Sequence, residues 1–233
     1  MIKINNLSLS LSGRDILKNI NFNLDENKSL VISGTSGSGK TKLLETIAGF
    51  EKSYNGEIVI NGKPIIEFGN ELYNTLGYIG NFRVENNFSE NIIYDLVFGL
   101  ELQNVSNSEI KKKLDNLIKD FRLDKLLKTE SKNLSGGEKQ LVNICSTIIK
   151  EPKILLMDDS MTMIDGDKKK ILLDKLIRSK KHTVVMITQE VDVFSDFDKI
   201  LFLDKGEIYY FGDTSSFMNN HQMKLIENGI IAK

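Results

Sequence analysis

The chain has 233 residues, of which 40% are hydrophobic and 27% charged, an ordinary globular composition that suits one compact domain, or a domain with an inserted lobe, and leaves little room for a second independent domain. Lys+Arg 31 against Asp+Glu 32 gives a net charge of −1, so no global field recruits nucleic acid. The single cysteine, Cys145, excludes an internal disulfide and points to a reducing compartment, the cytoplasm.

Met1-Ile2-Lys3-Ile4 enters directly into strand-like alternation without the pattern of a signal peptide. Residues 1–33 alternate short β patterns with turn signals and end in the apolar run Leu30-Val31-Ile32, which feeds a glycine-rich loop and predicts a strand–loop–helix entry. Two further β segments, Glu57-Ile58-Val59-Ile60 and Leu76-Gly77-Tyr78-Ile79, are separated by the turn dipeptide Asn61-Gly62. Residues about 90–150 become Leu/Ile/Lys-rich with helical spacing and read as an inserted helical lobe. After Pro152 the β–α alternation returns: Ile154 to Met157, a helix from about Gly166 to Arg178, Thr183 to Ile187, Ile200 to Leu203 and Ile208 to Phe211. Such alternation predicts a parallel α/β core. The expected division is 1–81 and 151–233 for the core with a β-lobe, and about 82–150 for the helical part. The longest apolar runs fall far short of the roughly 20 residues of a spanning helix, so any membrane role requires a partner. Lysine clusters at 111–113, 168–170 and 180–181 have acidic neighbours and read as solvated helix faces rather than a nucleic-acid patch.

Gly34-Thr35-Ser36-Gly37-Ser38-Gly39-Lys40-Thr41 matches G-x-x-x-x-G-K-[ST], the phosphate-binding loop, between a predicted strand and a predicted helix. Polyphosphate needs several backbone N–H groups converging on its oxygens, which glycines permit, together with the positive end of the following helix. Lys40 is expected at the β- and γ-phosphates of ATP and the Thr41 hydroxyl on Mg²⁺. Ile154-Leu155-Leu156-Met157-Asp158-Asp159 is an apolar strand ending in two carboxylates, which places Asp158 beside the metal, through water. His182, His221 and Cys145 lie in no ligand cluster, and no second cofactor is implied. The closing segment from His221 reads as a helix or a fraying tail.

Leu134-Ser135-Gly136-Gly137-Glu138, between the phosphate loop and the acidic strand, is the LSGG signature, and on these motifs the chain resembles an ATP-binding-cassette (ABC) ATPase along nearly its whole length. The resemblance implies a RecA-like P-loop NTPase core with an antiparallel β subdomain and an inserted α-helical subdomain. It also implies a second ABC ATPase subunit, with two ATP molecules sandwiched between the two cassettes, and transmembrane transporter subunits that hold the pair on the inner face of the membrane. In the family the signature caps the γ-phosphate of the partner's ATP, so Ser135, Gly136, Gly137 and Glu138 are carried over to that role, and Asp165 to the loop after the acidic strand. Leu76 to Ile79, Asn81, Asp95-Leu96-Val97-Phe98-Gly99-Leu100 and the tail Leu203-Asp204-Lys205-Gly206-Glu207-Ile208 look similar to energy-coupling factor and cobalt-type uptake ATPases. Exporter cassettes share Asp158-Asp159-Ser160 and Ser89-Glu90-Asn91-Ile92, so an exporter subunit, a regulatory cassette and an iron–sulfur assembly protein stay open as alternatives.

Four positions depart from the family pattern. Leu11 stands where an aromatic residue stacks on adenine, removing a contribution of about 1–3 kcal/mol. Asn81 replaces the Q-loop glutamine that senses Mg²⁺ and the membrane partner, and loses a methylene of reach. Asp159 replaces the catalytic glutamate, whose general-base role is typically worth about 10²–10⁴-fold. Gln189 replaces the switch histidine and cannot carry a proton. Lys42, where a small hydroxyl residue is usual, is either a cation near the α-phosphate or a solvent-facing side chain. The expectation is a slow ATP site of its own and an intact signature that serves a consensus partner.

Overall fold

The structure is a computed structural model that describes residues 1–80, 89 and 91–230. β1 (Ile2–Leu11) and β2 (Arg14–Leu24) form a hairpin closed on Ser12-Gly13, both at positive φ, the left-handed pair that matches strand twist. Ile2, Ile4, Leu7 and Leu9 are buried along β1, and a register irregularity after Ile4, next to Asn6 at φ 51, keeps the apolar side chains on one face. β3 (Ser29–Gly34) is buried along its whole length, and the loop after it leads into α1 (Lys40–Ile47). β4 (Asn55–Ile60) then pairs with β1.

Asn61-Gly62 turns β4 back on the short β5 (Lys63–Pro64), completing an antiparallel sheet in the order β2-β1-β4-β5. The dipeptide expected between two β segments is thus a hairpin turn inside the β-lobe. The chain then passes through 3-10 turns and α2 (Leu72–Thr75) before β6 (Leu76–Ile79) joins the other sheet.

Among the described residues three α-helices follow: α3 (Ile92–Leu102), α4 (Asn107–Phe121) and α5 (Gly136–Ile148). Beyond them run β7 (Ile154–Asp158), α6 (Gly166–Leu172), β8 (Thr183–Ile187), β9 (Lys199–Asp204), β10 (Glu207–Asp213), α7 (Thr214–Asn220) and α8 (Gln222–Glu227). The second sheet has the order β10-β9-β3-β8-β7-β6; all its pairings are parallel except β10 with β9. Strands covered on both faces read as unbroken apolar runs, which is what β3, β7 and β8 show.

Alternation along these strands divides the core in two. Leu30, Ile32, Ile154, Leu156, Val185 and Ile187 meet α1 and the β-lobe; Val31, Leu155, Met157, Val184 and Met186 meet the helices. Ile92 and Leu96 of α3, Phe121 of α4 and Leu141 of α5 belong to the same apolar cluster as Val31 and Met157. The helical segment thus shares its core with the sheet. After α6 the backbone widens into a π-helical turn, Leu173–Arg178, closed by Ser179 N–H to Asp174 O at 3.0 Å. The expected single helix is therefore two kinds of helix, which apolar spacing alone does not distinguish.

The edge of the sheet where β3 and β9 begin is held by Asp198. Its carboxylate accepts the Ser29 N–H and Ser29 hydroxyl at 2.9 Å each, and the Lys28 and Lys180 ammonium groups lie 3.3 and 2.5 Å away. Burial works to raise the Asp198 carboxyl, but Lys180, Ser29 and Lys28 outweigh it and hold it well below the usual aspartate range. Depression in the folded state means the stabilisation is present above about pH 4, the unfolded value, and fades as pH falls through the folded one. Asp198→Ala is expected to cost about 2–3 kcal/mol at pH 7, about 5–10 °C in Tm for a chain of this size. That gap should narrow as the melting curves are taken below about pH 4; an unchanged Tm at pH 7 would remove Asp198 as the clamp of this edge.

Candidate functional site

The phosphate loop hangs between the end of β3 and the start of α1. Gly34, Gly37 and Gly39 stand at φ 137, 76 and 99, which side chains rarely tolerate. Space is denied as well: a Cβ on Gly34 would overlap the Leu203 carbonyl of β9, and one on Gly39 would sit 2.9 Å from Ile16 O. The loop is tied down by two backbone bonds through the β9–β10 turn, Gly206 N–H to Ser38 O at 3.2 Å and Lys18 N–H to Gly206 O at 2.8 Å. Neither Ile16 nor Gly206 was named as a site residue from sequence; the turn dipeptide Lys205-Gly206 was the one signal available.

Inside the loop the Lys40 ammonium donates to Gly34 O (2.9 Å) and Thr35 O (2.7 Å) and lies 3.5 Å from Ser38 Oγ. Burial pulls it below the ordinary lysine range while Asp158 and Asp159 pull the other way. Gly39 caps α1 without a side-chain bond, so the first N–H groups of the helix face the loop with no side-chain acceptor at the cap.

Asp158 closes β7, buried, and the Thr41 hydroxyl lies near enough to favour its ionised form. Burial raises its carboxyl above the usual range, with Thr41 and Lys40 opposing and Asp159 and Glu45 adding. The two residues expected at Mg²⁺ are thus neighbours. Among the described residues no group of three His, Cys, Asp or Glu side chains could hold a metal. One hydroxyl and one carboxylate, with phosphate and water completing the shell, fit Mg²⁺, which keeps most of its water.

Asp159 takes φ 46, its N–H bonded to Ile187 O at 3.0 Å, and its Oδ1 accepts the Thr162 hydroxyl at 2.7 Å. Gln189, just beyond β8, is exposed and directs Nε2 to Gly34 O at 3.4 Å. Parallel pairing of β3, β7 and β8 therefore gathers the loop, both aspartates and Gln189 at one sheet edge, the carboxyl ends of the strands, where ligands bind in open α/β sheets. Leu11 ends β1 partly buried against the β-lobe core. The Lys42 ammonium, in the first turn of α1, pairs with Glu45 Oε2 at 2.6 Å. Asn81 lies outside the described residues.

The signature forms a second group. Ser135 caps α5, and its hydroxyl and N–H join Glu138 in a reciprocal capping box. A Cβ on Gly137 would overlap the Met163 carbonyl oxygen, and one on Gly136 would sit 2.7 Å from Met163 Cε. The two glycines therefore let the segment after β7 run against the start of α5. Thr162 and Met163 stand in the stretch Thr162-Met163-Ile164-Asp165 that leads to the loop aspartate, and no spacing signals their contacts.

The ABC transporter family matches residues 17–162. The energy-coupling factor transporter ATP-binding protein EcfA1 of Mycoplasma mobile is 32% identical over 96% of this chain and 84% of its own, and EcfA1 of Thermotoga maritima is 28% identical over 93% and 83%. In structure, cbiO1 from Clostridium perfringens, part of the ABC transporter complex cbiONQ, superposes with a TM-score of 0.85 over 97% of this chain and 94% of its own at 24% identity, a likeness of fold. No helix among the described residues is long and apolar enough to cross a membrane. With its phosphate loop, acidic strand and signature in place, the chain belongs to the ABC transporter family, as an ATP-binding subunit of its ATPase type.

Proposed function

We propose that this subunit binds Mg-ATP in a slow site of its own and lends its signature to a faster site on a consensus partner cassette, on the inner face of a membrane held by transporter subunits. The observation that carries this is the state of Asp159. The carboxylate is one methylene shorter than the family's glutamate, and Thr162 already occupies one of its oxygens. Gln189 offers a neutral amide where a histidine would offer a proton.

In this reading the loop N–H groups and Lys40 hold the β- and γ-phosphates, and Thr41 and Asp158 hold Mg²⁺, whose charge would offset that of the phosphates. Asp159 orients the attacking water, and Gln189 donates to the γ-phosphate. Two cassettes close because ATP has greater affinity for the closed pair, and they open when that difference is lost. The membrane subunits dock on the exposed apolar side chains of α3, Ile93, Tyr94, Phe98 and Leu102, together with Tyr73 of α2. Gln103 Nε2 to Asn74 Oδ1 at 2.9 Å ties the end of α3 to α2.

The test is purification of the tagged chain from its native membrane in mild detergent, identification of what co-purifies, and an ATPase assay of the assembly with Lys40→Met in this subunit alone. A second cassette and membrane proteins should be recovered. Lys40→Met should weaken ATP binding at its own site by about 10²-fold or more, by loss of a charge-assisted phosphate contact, and leave most turnover intact. Recovery of a homodimer with brisk turnover, abolished by Lys40→Met, would overturn the asymmetric reading.

A further inference from the structure

The signature carries an acid, and the structure gives that acid two partners. Glu138 Oε2 accepts the Ser135 N–H at 3.0 Å and the Ser135 hydroxyl at 2.9 Å, while Oε1 faces Lys168 Nζ at 3.9 Å. Both side chains are 31% exposed. The backbone bond from Ser135 holds the Glu138 carboxyl below the ordinary glutamate range against the effect of burial, and the Ser135 hydroxyl and Lys168 add to it. Glu138 is therefore an anion, and it holds the hydroxyl expected to serve a phosphate.

A γ-phosphate oxygen accepts and does not donate. For Ser135 to bond to it, the hydroxyl must leave Glu138, and a carboxylate beside a triphosphate repels it. Lys168 is the only cation within ion-pair distance of Glu138 among the described residues. It comes from the second position after the α6 start at Gly166, and α6 begins beside α5 because Gly136 and Gly137 leave room for Met163 and Ile164. The neighbouring Lys169 is turned away and paired with Glu190.

We infer that Lys168 is the counter-charge that makes this acidic signature compatible with a partner's triphosphate. It is a positioning residue: it acts through Glu138, drawing the carboxylate to itself as the Ser135 hydroxyl passes to the γ-phosphate. The inference rests on the two-cassette reading above and assigns a role to one member of a lysine cluster that reads from sequence as a solvated face.

The experiment is a double-mutant cycle read by sedimentation velocity across an ATP titration in Mg²⁺, using the chain with the cassette that co-purifies with it, or alone if it pairs with itself. Lys168→Met is expected to raise the ATP concentration for half-maximal association about fivefold, the upper end for a partly exposed ion pair. In a Glu138→Gln background, where glutamine keeps the capping box, the same change should cost nothing beyond the effect of Glu138→Gln itself. The affinity of the chain's own phosphate loop for a fluorescent ATP analogue should be equal in all four forms. An equal loss from Lys168→Met in both backgrounds, no loss in either, or weakened binding at the own loop would overturn the inference while leaving two-cassette closure standing. Absence of any ATP-dependent association in the unmutated protein would overturn both.

Discussion

Asp159→Glu combined with Gln189→His is expected to raise the ATPase rate of the assembled protein by about 10²-fold at this subunit's site, the lower end of what a placed general base contributes. The longer carboxylate reaches past Thr162, which now takes one oxygen of Asp159 at 2.7 Å. The histidine can donate to the γ-phosphate and carry charge, where Gln189 Nε2 now rests 3.4 Å from Gly34 O. The two changes should exceed the sum of their separate effects on the barrier, since residues of one catalytic unit are not additive. The measurement is steady-state turnover of the purified assembly, with the partner cassette's own loop lysine replaced so that only this site is read. No increase, in a variant that melts and binds ATP like the parent, would mean that the altered positions do not limit turnover.

Gly137→Ala should be the most damaging one-carbon change in the signature. Its Cβ would overlap the Met163 carbonyl oxygen, a backbone atom, whereas the Cβ of Gly136→Ala meets the flexible end of the Met163 side chain at 2.7 Å. Overpacking against backbone costs about 1–3 kcal/mol, equivalent to a fall of about 3–10 °C in Tm. Gly136→Ala should cost less than a third of that. Because the displaced segment leads back through Thr162 to Asp159, Gly137→Ala should also weaken ATP-dependent association by tenfold or more, about 1.4 kcal/mol. Equal melting temperatures for the two alanine variants would show that Met163 yields at both positions and that the glycine is not there for space.

Much of this molecule was legible from residue order because its key motifs are local. The phosphate loop is eight consecutive residues, the acidic strand is six, and the signature is five. Each is a backbone conformation with its own chemistry: glycines at positive φ, an unbroken apolar run for a strand covered on both faces, a serine three residues before a glutamate for a capping box. The β3, β7, β8, β9 and β10 segments read from sequence coincide with the strands of the structure to within two residues, since the period of apolar residues survives whatever the strands pair with. The hairpin use of Asn61-Gly62 and the π-helical turn at Leu173–Arg178 were not legible, because a turn signal does not say which strand returns and apolar spacing tolerates one extra residue per turn.

By itself, then, the order of residues determined the family and the nucleotide loop and carried the proposal that Leu11, Asp159 and Gln189 depart from the family pattern, all of which rest on residue type. Only the tertiary structure decided that Thr162 holds the Asp159 carboxylate, that Lys42 belongs to Glu45, that Met163 fills the space left by Gly137 and that Lys168 faces Glu138. The physical reason is the same in each case. Which side chain a carboxylate or an ammonium meets depends on rotamers and on packing between neighbouring turns and helices, and charge is allotted there at contacts of 2.6 to 3.9 Å that no sequence period encodes.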